Sequence, residues 1–228
     1  MLDAVLLEWE GVLADTGAAR REAMLRALAD EGVAWTAAAY DTCCGGLDVL
    51  ASATTALART GRSDATLADL VALRATRGFA ERLAQGFTMR PGAAQFIGAA
   101  EHRARLAIVT RASRAETEIA LRLSGLGPAI TVVVTSDDVL DPPPAPAAYV
   151  HALRQLTRTR AARSDRVVAL VGSSAAVRAA RSAGVRALAV GAPAHVALDA
   201  DAAVDGLAGL TLDLVVSLIR VAPAARPA

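Results

Sequence analysis

The sequence predicts an α/β fold: a doubly wound parallel sheet with a helical segment inserted after the first strand. Three observations carry this. Short, near-continuous apolar runs recur along the chain, as strands buried on both faces require. Helix-period stretches lie between them, which is the pattern of right-handed βαβ units. One long interval, 16–88, carries helix periodicity and no convincing strand.

The first apolar run is Ala4 to Leu7, and it ends at Glu8 and Glu10 with a glycine turn behind them. Carboxylates at i and i+2 project to one side of an extended chain. The insertion follows, with patterns such as Met24, Leu25, Ala27 and Leu28, and Leu67, Leu70, Val71 and Leu73. Pro91-Gly92 marks the return to the sheet. Further strands are expected at 106–109, 130–134, 167–171 and 185–190, with helices at about 92–103, 114–124, 145–158 and 174–183. The expected division is therefore a core of 1–15 and 89–228 and a helical cap of 16–88.

Composition narrows the function. The 228 residues are 54% hydrophobic and 3% aromatic, so the core is built from Ala, Val and Leu. The formal charge is +1 and the basic residues are scattered, which excludes a nucleic-acid surface. All 24 basic residues are Arg, so no lysine can serve a reaction. No leader pattern or membrane-length apolar run is present, and a cytoplasmic protein is expected. Cys43 and Cys44 are adjacent, a poor geometry for a disulfide with each other. They do not argue for secretion.

Ligands of an open parallel sheet sit beyond the carboxyl ends of its strands. The loops to inspect are 8–11, 110–113, 137–146 and 172–174. In that order they resemble the haloacid dehalogenase superfamily, in its capped phosphatase-like branch, which includes phosphoglycolate phosphatase-like and β-phosphoglucomutase-like proteins. DAVLLEWEGVLADT is similar to its first motif, LAIVTRAS to the second, DPPPAPAAY to the third and LVGSSAAVRAARSAGV to the fourth. The resemblance spans almost the whole chain and implies a Rossmann-like core with a helical cap.

It also implies phosphoryl chemistry, and here the residues depart from the pattern. The family carries D-x-D in the first motif, a nucleophile and a general acid/base; those positions are Glu8 and Glu10. The family lysine falls on Pro143, and the magnesium-binding Asp of the fourth motif, after Gly172, falls on Ser173. Magnesium wants octahedral oxygen ligation with protein carboxylates, so the family metal site is expected to be lost and no cofactor is expected. Replacing Asp by Glu moves the attacking oxygen by about a bond length, and a misplacement of about 1 Å costs on the order of 10²-fold.

Other groups remain available for binding. Thr110 offers a hydroxyl, and Arg111 and Ala112 offer a positive charge and backbone N–H groups at a helix start, a candidate anion site. Cys43, Cys44, Gly45 and Gly46 fall where capped members place a substrate-specificity loop; burial of the thiols and contact with a substrate are both open. Asp15 and Thr16 read as a helix cap, Asp137 and Asp138 as a capping loop, and Trp9 as packing for the strand end. The leading expectation is a degenerate member acting by binding, assembly or regulation. The alternatives are a repurposed metal-independent isomerase, lyase or cyclase using Glu8 or Glu10 as proton carrier, and a phosphatase with a Glu nucleophile. Expected partners are a small anionic or apolar ligand and a protein partner or second copy, with neither nucleic acid nor membrane.

Overall fold

The computed structural model describes residues 2–140, 145–159 and 161–221. The chain begins with strands β1 (Ala4–Leu7) and β2 (Ala14–Asp15). Helices α1 (Gly17–Asp30), α2 (Ala37–Cys44), α3 (Val49–Arg59) and α4 (Ala65–Ala84) follow, and then strand β3 (Thr88–Met89). The chain continues as α5 (Ala93–Ala100), β4 (Arg105–Val109), α6 (Arg114–Ser124), β5 (Ile130–Val134), α7 (Ala147–Thr159) and β6 (Val167–Val171). It ends in α8 (Ser174–Ser182), β7 (Arg186–Val190), α9 (Ala194–Asp199), β8 (Ala202–Val204) and α10 (Leu212–Val221).

Six strands form one sheet in the order β5-β4-β1-β6-β7-β8, and every pair in it is parallel. Alternate residues feed opposite layers, as the two-residue side-chain period dictates. Val5 and Leu7 of β1 join Phe96, Ile97 and Val215 on one face. Ala4 and Leu6 join Ala152, Leu156 and Ala180 on the other. Because β1 is covered on both sides it reads as an unbroken apolar run. The strand order turns at β1, between β4 and β6, which places a crevice at their carboxyl ends.

The four helices α1 to α4 bury a core of their own, with Met24 and Leu28 meeting Tyr40, Leu57, Val71 and Ala75. Local chemistry starts three of them: Thr36, Asp48 and Asp64 each accept a backbone N–H at the helix start, a contact worth about 1 kcal/mol. The chain enters and leaves this segment through β2 and β3, paired antiparallel as Ala14 with Met89 and Asp15 with Thr88. Gly92 then has φ +86°, and a Cβ there would lie 2.4 Å from the Leu207 carbonyl carbon. Only glycine fits such an approach.

Several expectations need correction. The helix expected at 92–103 ends at Ala100, because the chain must turn to enter β4; Arg103 and Ala104 both donate backbone N–H groups to the Ala100 carbonyl. The expected strand 185–190 begins at Arg186. The edge strand β8 and helices α9 and α10 were not expected, and three residues of AAV between polar neighbours give β8 little signal. Thr16 occupies the N-terminal position of α1 without making a side-chain cap. Among the described residues no helix is long and apolar enough to cross a membrane.

Candidate active-site crevice

Glu8 follows β1 directly, and its carboxylate is buried at 6% exposure. The side chain turns toward the loop between β6 and α8. Its Oε2 accepts the Gly172 N–H at 2.7 Å, and its Oε1 accepts the Ser173 hydroxyl at 3.3 Å. The Arg111 guanidinium stands 3.8 Å from Oε1. Ser173 also caps α8 by accepting the Ala176 N–H at 3.2 Å. Burial pushes the Glu8 pKa above the ordinary carboxylate range, and Arg111, Gly172 and Ser173 only partly oppose it. The buried Tyr149 hydroxyl is also raised, first by burial and then by the neighbouring Glu8 charge.

Glu10 meets a different environment. Its Oε1 accepts from Nε of Arg20, which projects from α1. The same guanidinium reaches both oxygens of Glu116 on α6 at 3.4 Å and lies 3.9 Å from the centroid of the Phe79 ring on α4. Burial raises the Glu10 pKa, but Arg20 and then Arg111 outweigh it and hold the carboxyl below its ordinary value. Glu116 is fixed independently by a capping box: Ser113 N–H donates to its Oε2 at 2.7 Å, and the Ser113 hydroxyl accepts the Glu116 N–H. Arg20 therefore docks on an acceptor already held in place.

The loop after β4 is also committed to internal contacts. Ala112 N–H donates to the Thr110 hydroxyl at 3.1 Å. Arg111 donates to the Leu47 carbonyl at 3.0 Å, reaching into the link between α2 and α3. Gly46 is a neighbour at ordinary contact distance: a Cβ there would lie 3.9 Å from the Arg111 guanidinium. The cysteines do not belong to this link. Cys43 and Cys44 close α2, and Cys44 is buried with its thiol directed to the Ser52 carbonyl; burial raises its pKa. Only Gly45 and Gly46 of that expected loop lie outside the helix.

Thus three of the four expected loops converge, bringing together Glu8, Arg111, Gly172 and Ser173. Pro143 lies outside the described residues. Asp137 and Asp138 face Arg114 instead, accepting its backbone N–H and its guanidinium at 2.8 and 2.6 Å. Trp9 packs edge-on against Phe87, 5.8 Å between centroids, in the layer away from the glutamates. Arg20, Leu47 and Glu116 escaped the reading from sequence. Only Glu116 leaves a local trace, the S-x-x-E spacing from Ser113.

The magnesium of the resembled family does not fit these residues. A divalent cation needs several free oxygen donors, including carboxylates. Here the Glu8 oxygens face an N–H, an O–H and a guanidinium, while the Glu10 carboxylate is held by Arg20. Among the described residues, no three His, Cys, Asp or Glu side chains gather as a metal site.

The model of the haloacid dehalogenase-like hydrolase family matches residues 6–190. Protein CbbY of Rhodobacter capsulatus is 31% identical over 195 residues, 81% of this chain and 83% of that protein. Protein CbbY of Cereibacter sphaeroides is 31% identical over 234 residues, 93% of this chain and 98% of that protein. The fold matches the crystal structure of a mutant CbbY from Rhodobacter sphaeroides in complex with xylulose-(1,5)bisphosphate, with a TM-score of 0.79 and 27% identity, covering 93% of this chain and 98% of the other. It also matches β-phosphoglucomutase from Clostridium difficile, with a TM-score of 0.85 at 14% identity over 96% of this chain and 98% of the other, a likeness of fold alone. The parallel sheet, the crevice at its carboxyl ends and these matches lead to one conclusion: the chain belongs to the haloacid dehalogenase-like hydrolases.

Proposed function

We propose that this chain is a catalytically degenerate member of its family, acting by binding, assembly or regulation rather than by phosphoryl transfer. The carrying observation is the engagement of Glu8, whose two oxygens accept from Gly172 and Ser173 with Arg111 alongside. A carboxylate nucleophile must present a free lone pair in line with the phosphorus. The absence of any lysine, with Pro143 and Ser173 at the family's lysine and metal-binding Asp positions, supports the same reading. Phosphoryl transfer is largely charge neutralisation and positioning, and these substitutions remove its usual charges. A small anionic ligand would have to compete for Arg111 with the Leu47 carbonyl and Glu8.

The test is a magnesium-supplemented phosphate-release screen on sugar phosphates and bisphosphates. It includes xylulose 1,5-bisphosphate, the ligand found with the CbbY mutant. The native chain is expected to release no more phosphate than Glu8→Gln, with Glu8→Asp plus Ser173→Asp as a restoration attempt. Native turnover that disappears in Glu8→Gln would overturn the reading. A second reading rests on the burial of Glu8, which raises its pKa: a carboxyl that binds its proton more tightly than usual suits acid/base work. Its signature is product formation that resists chelator and is lost in Glu8→Gln.

A further inference from the structure

We propose that Arg20 is a latch that holds the helical segment α1–α4 shut against the strand ends, with Arg111 as a counter-latch thrown in the opposite direction. The β2–β3 pair carries both chain crossings, so the segment is tethered there by two residue pairs. A tether this short leaves the far side free to swing unless other contacts hold it. Packing of α4 on α6 supplies part of them, and the two arginines supply the charged and polar ones.

Arg20 starts in the helical segment and ends on Glu10 and Glu116, both outside it. Its side chain is 13% exposed and that of Glu116 2%. Arg111 starts in the loop after β4 and ends on the Leu47 carbonyl between α2 and α3. The Phe79 face under Arg20 adds a cation–π contact from α4. The guanidinium fork suits this task because it meets two carboxylates at once from a single plane. Without it, Glu10 and Glu116 would both be left on the sheet side as buried carboxylates without the guanidinium they share, which favours opening to water.

The latch stands whether or not the chain releases phosphate, because the contacts of Arg20 with Glu10, Glu116 and Phe79 do not involve Glu8. It makes the closed form the resting state of this molecule. A ligand would reach the crevice only when the latch releases.

Hydrogen exchange followed by mass spectrometry tests this on the full chain, in the native protein and in Arg20→Ala, Arg20→Lys and Arg21→Ala. Arg21 is the control, since its partner Asp41 lies within the same helical segment. In Arg20→Ala, amides in 9–13, 44–47 and 110–116 are expected to exchange at least about tenfold faster, while β1, β4 and β6 keep their protection. Arg20→Lys keeps the charge and loses the fork, so a smaller acceleration at the same segments is expected, and Arg21→Ala should match the native protein. Unchanged protection of those segments in Arg20→Ala would overturn the latch. Should Arg20→Ala lose protection throughout, Arg20→Lys decides: acceleration confined to the three segments supports the latch, and native or uniform exchange overturns it.

Discussion

Glu8 and Glu10 lie two residues apart, occupy the two acidic positions of one family motif, and have opposite fates. Glu8 turns into the sheet domain, where it meets mainly neutral donors and burial dominates, so its proton is held more tightly. Glu10 turns toward α1, where burial is outweighed by Arg20 together with Arg111 and the proton is released more easily. The side chains are identical; the partner supplied by the rest of the fold decides the outcome. One glutamate joins the first strand to the fourth motif, and the other joins the sheet domain to the helical segment.

The largest effect should come from breaking the Glu10 side. Arg20→Ala leaves two buried carboxylates unpaired and is expected to cost about 3–5 kcal/mol in urea unfolding. The exposed Arg21–Asp41 pair, at 29% and 57% side-chain exposure, sets the contrast: Arg21→Ala should cost under about 1 kcal/mol. Equal losses would erase the distinction between a latch and a surface ion pair.

Next comes the Glu8 side. Glu8→Ala strips acceptors from Gly172 and Ser173 and should cost about 1–3 kcal/mol. Glu8→Gln keeps an acceptor and removes a charge that burial disfavours, so near-native stability is expected at neutral pH. A large loss in Glu8→Gln, matching that of Glu8→Ala, would show that the negative charge is what holds the loop.

The pH dependence separates the pair by sign. Both start from an ordinary value of 4.5. Glu8 is raised, so its contribution is fully present below that value and is lost as pH rises through the folded pKa. Glu10 is lowered, so its contribution is present above 4.5 and is lost as pH falls through its folded pKa. Relative to native, Glu8→Gln should gain stability as pH rises above the ordinary range, and the penalty of Glu10→Gln should shrink on acidification. Unfolding midpoints across pH 3 to 8 read both. The smallest effect is expected for Ser173→Ala, about 1 kcal/mol, mostly from the lost α8 cap.

The sheet was legible because β1, β4 and β6 are buried on both faces and so leave unbroken apolar runs in the sequence. The convergence of Glu8, Arg111, Gly172 and Ser173 was legible for a related reason: each follows a strand whose carboxyl end the parallel topology gathers at one rim. Arg20 was not legible. It is one of 24 arginines in the chain and lies in a helix of mixed polarity, and its value comes from Glu116, 96 residues away. The S-x-x-E pattern announces that Glu116 caps α6 but not that its carboxylate also serves a second donor. Cys43 and Cys44 lie in α2 rather than in a loop because the helix extends to the glycine pair, while the burial expected of the thiols is met by Cys44.

Glu8 serves as an internal acceptor, and Glu10 anchors an ion bridge between the sheet domain and the helical segment. Carbon-13 detection of the glutamate side-chain carboxyls during a pH titration, repeated with millimolar magnesium, tests this most directly. Glu8 should titrate above the ordinary value and Glu10 below it, with neither signal moved by magnesium. A Glu8 signal that shifts with magnesium and titrates below the ordinary value would contradict the account and restore a metal-assisted nucleophile at this position.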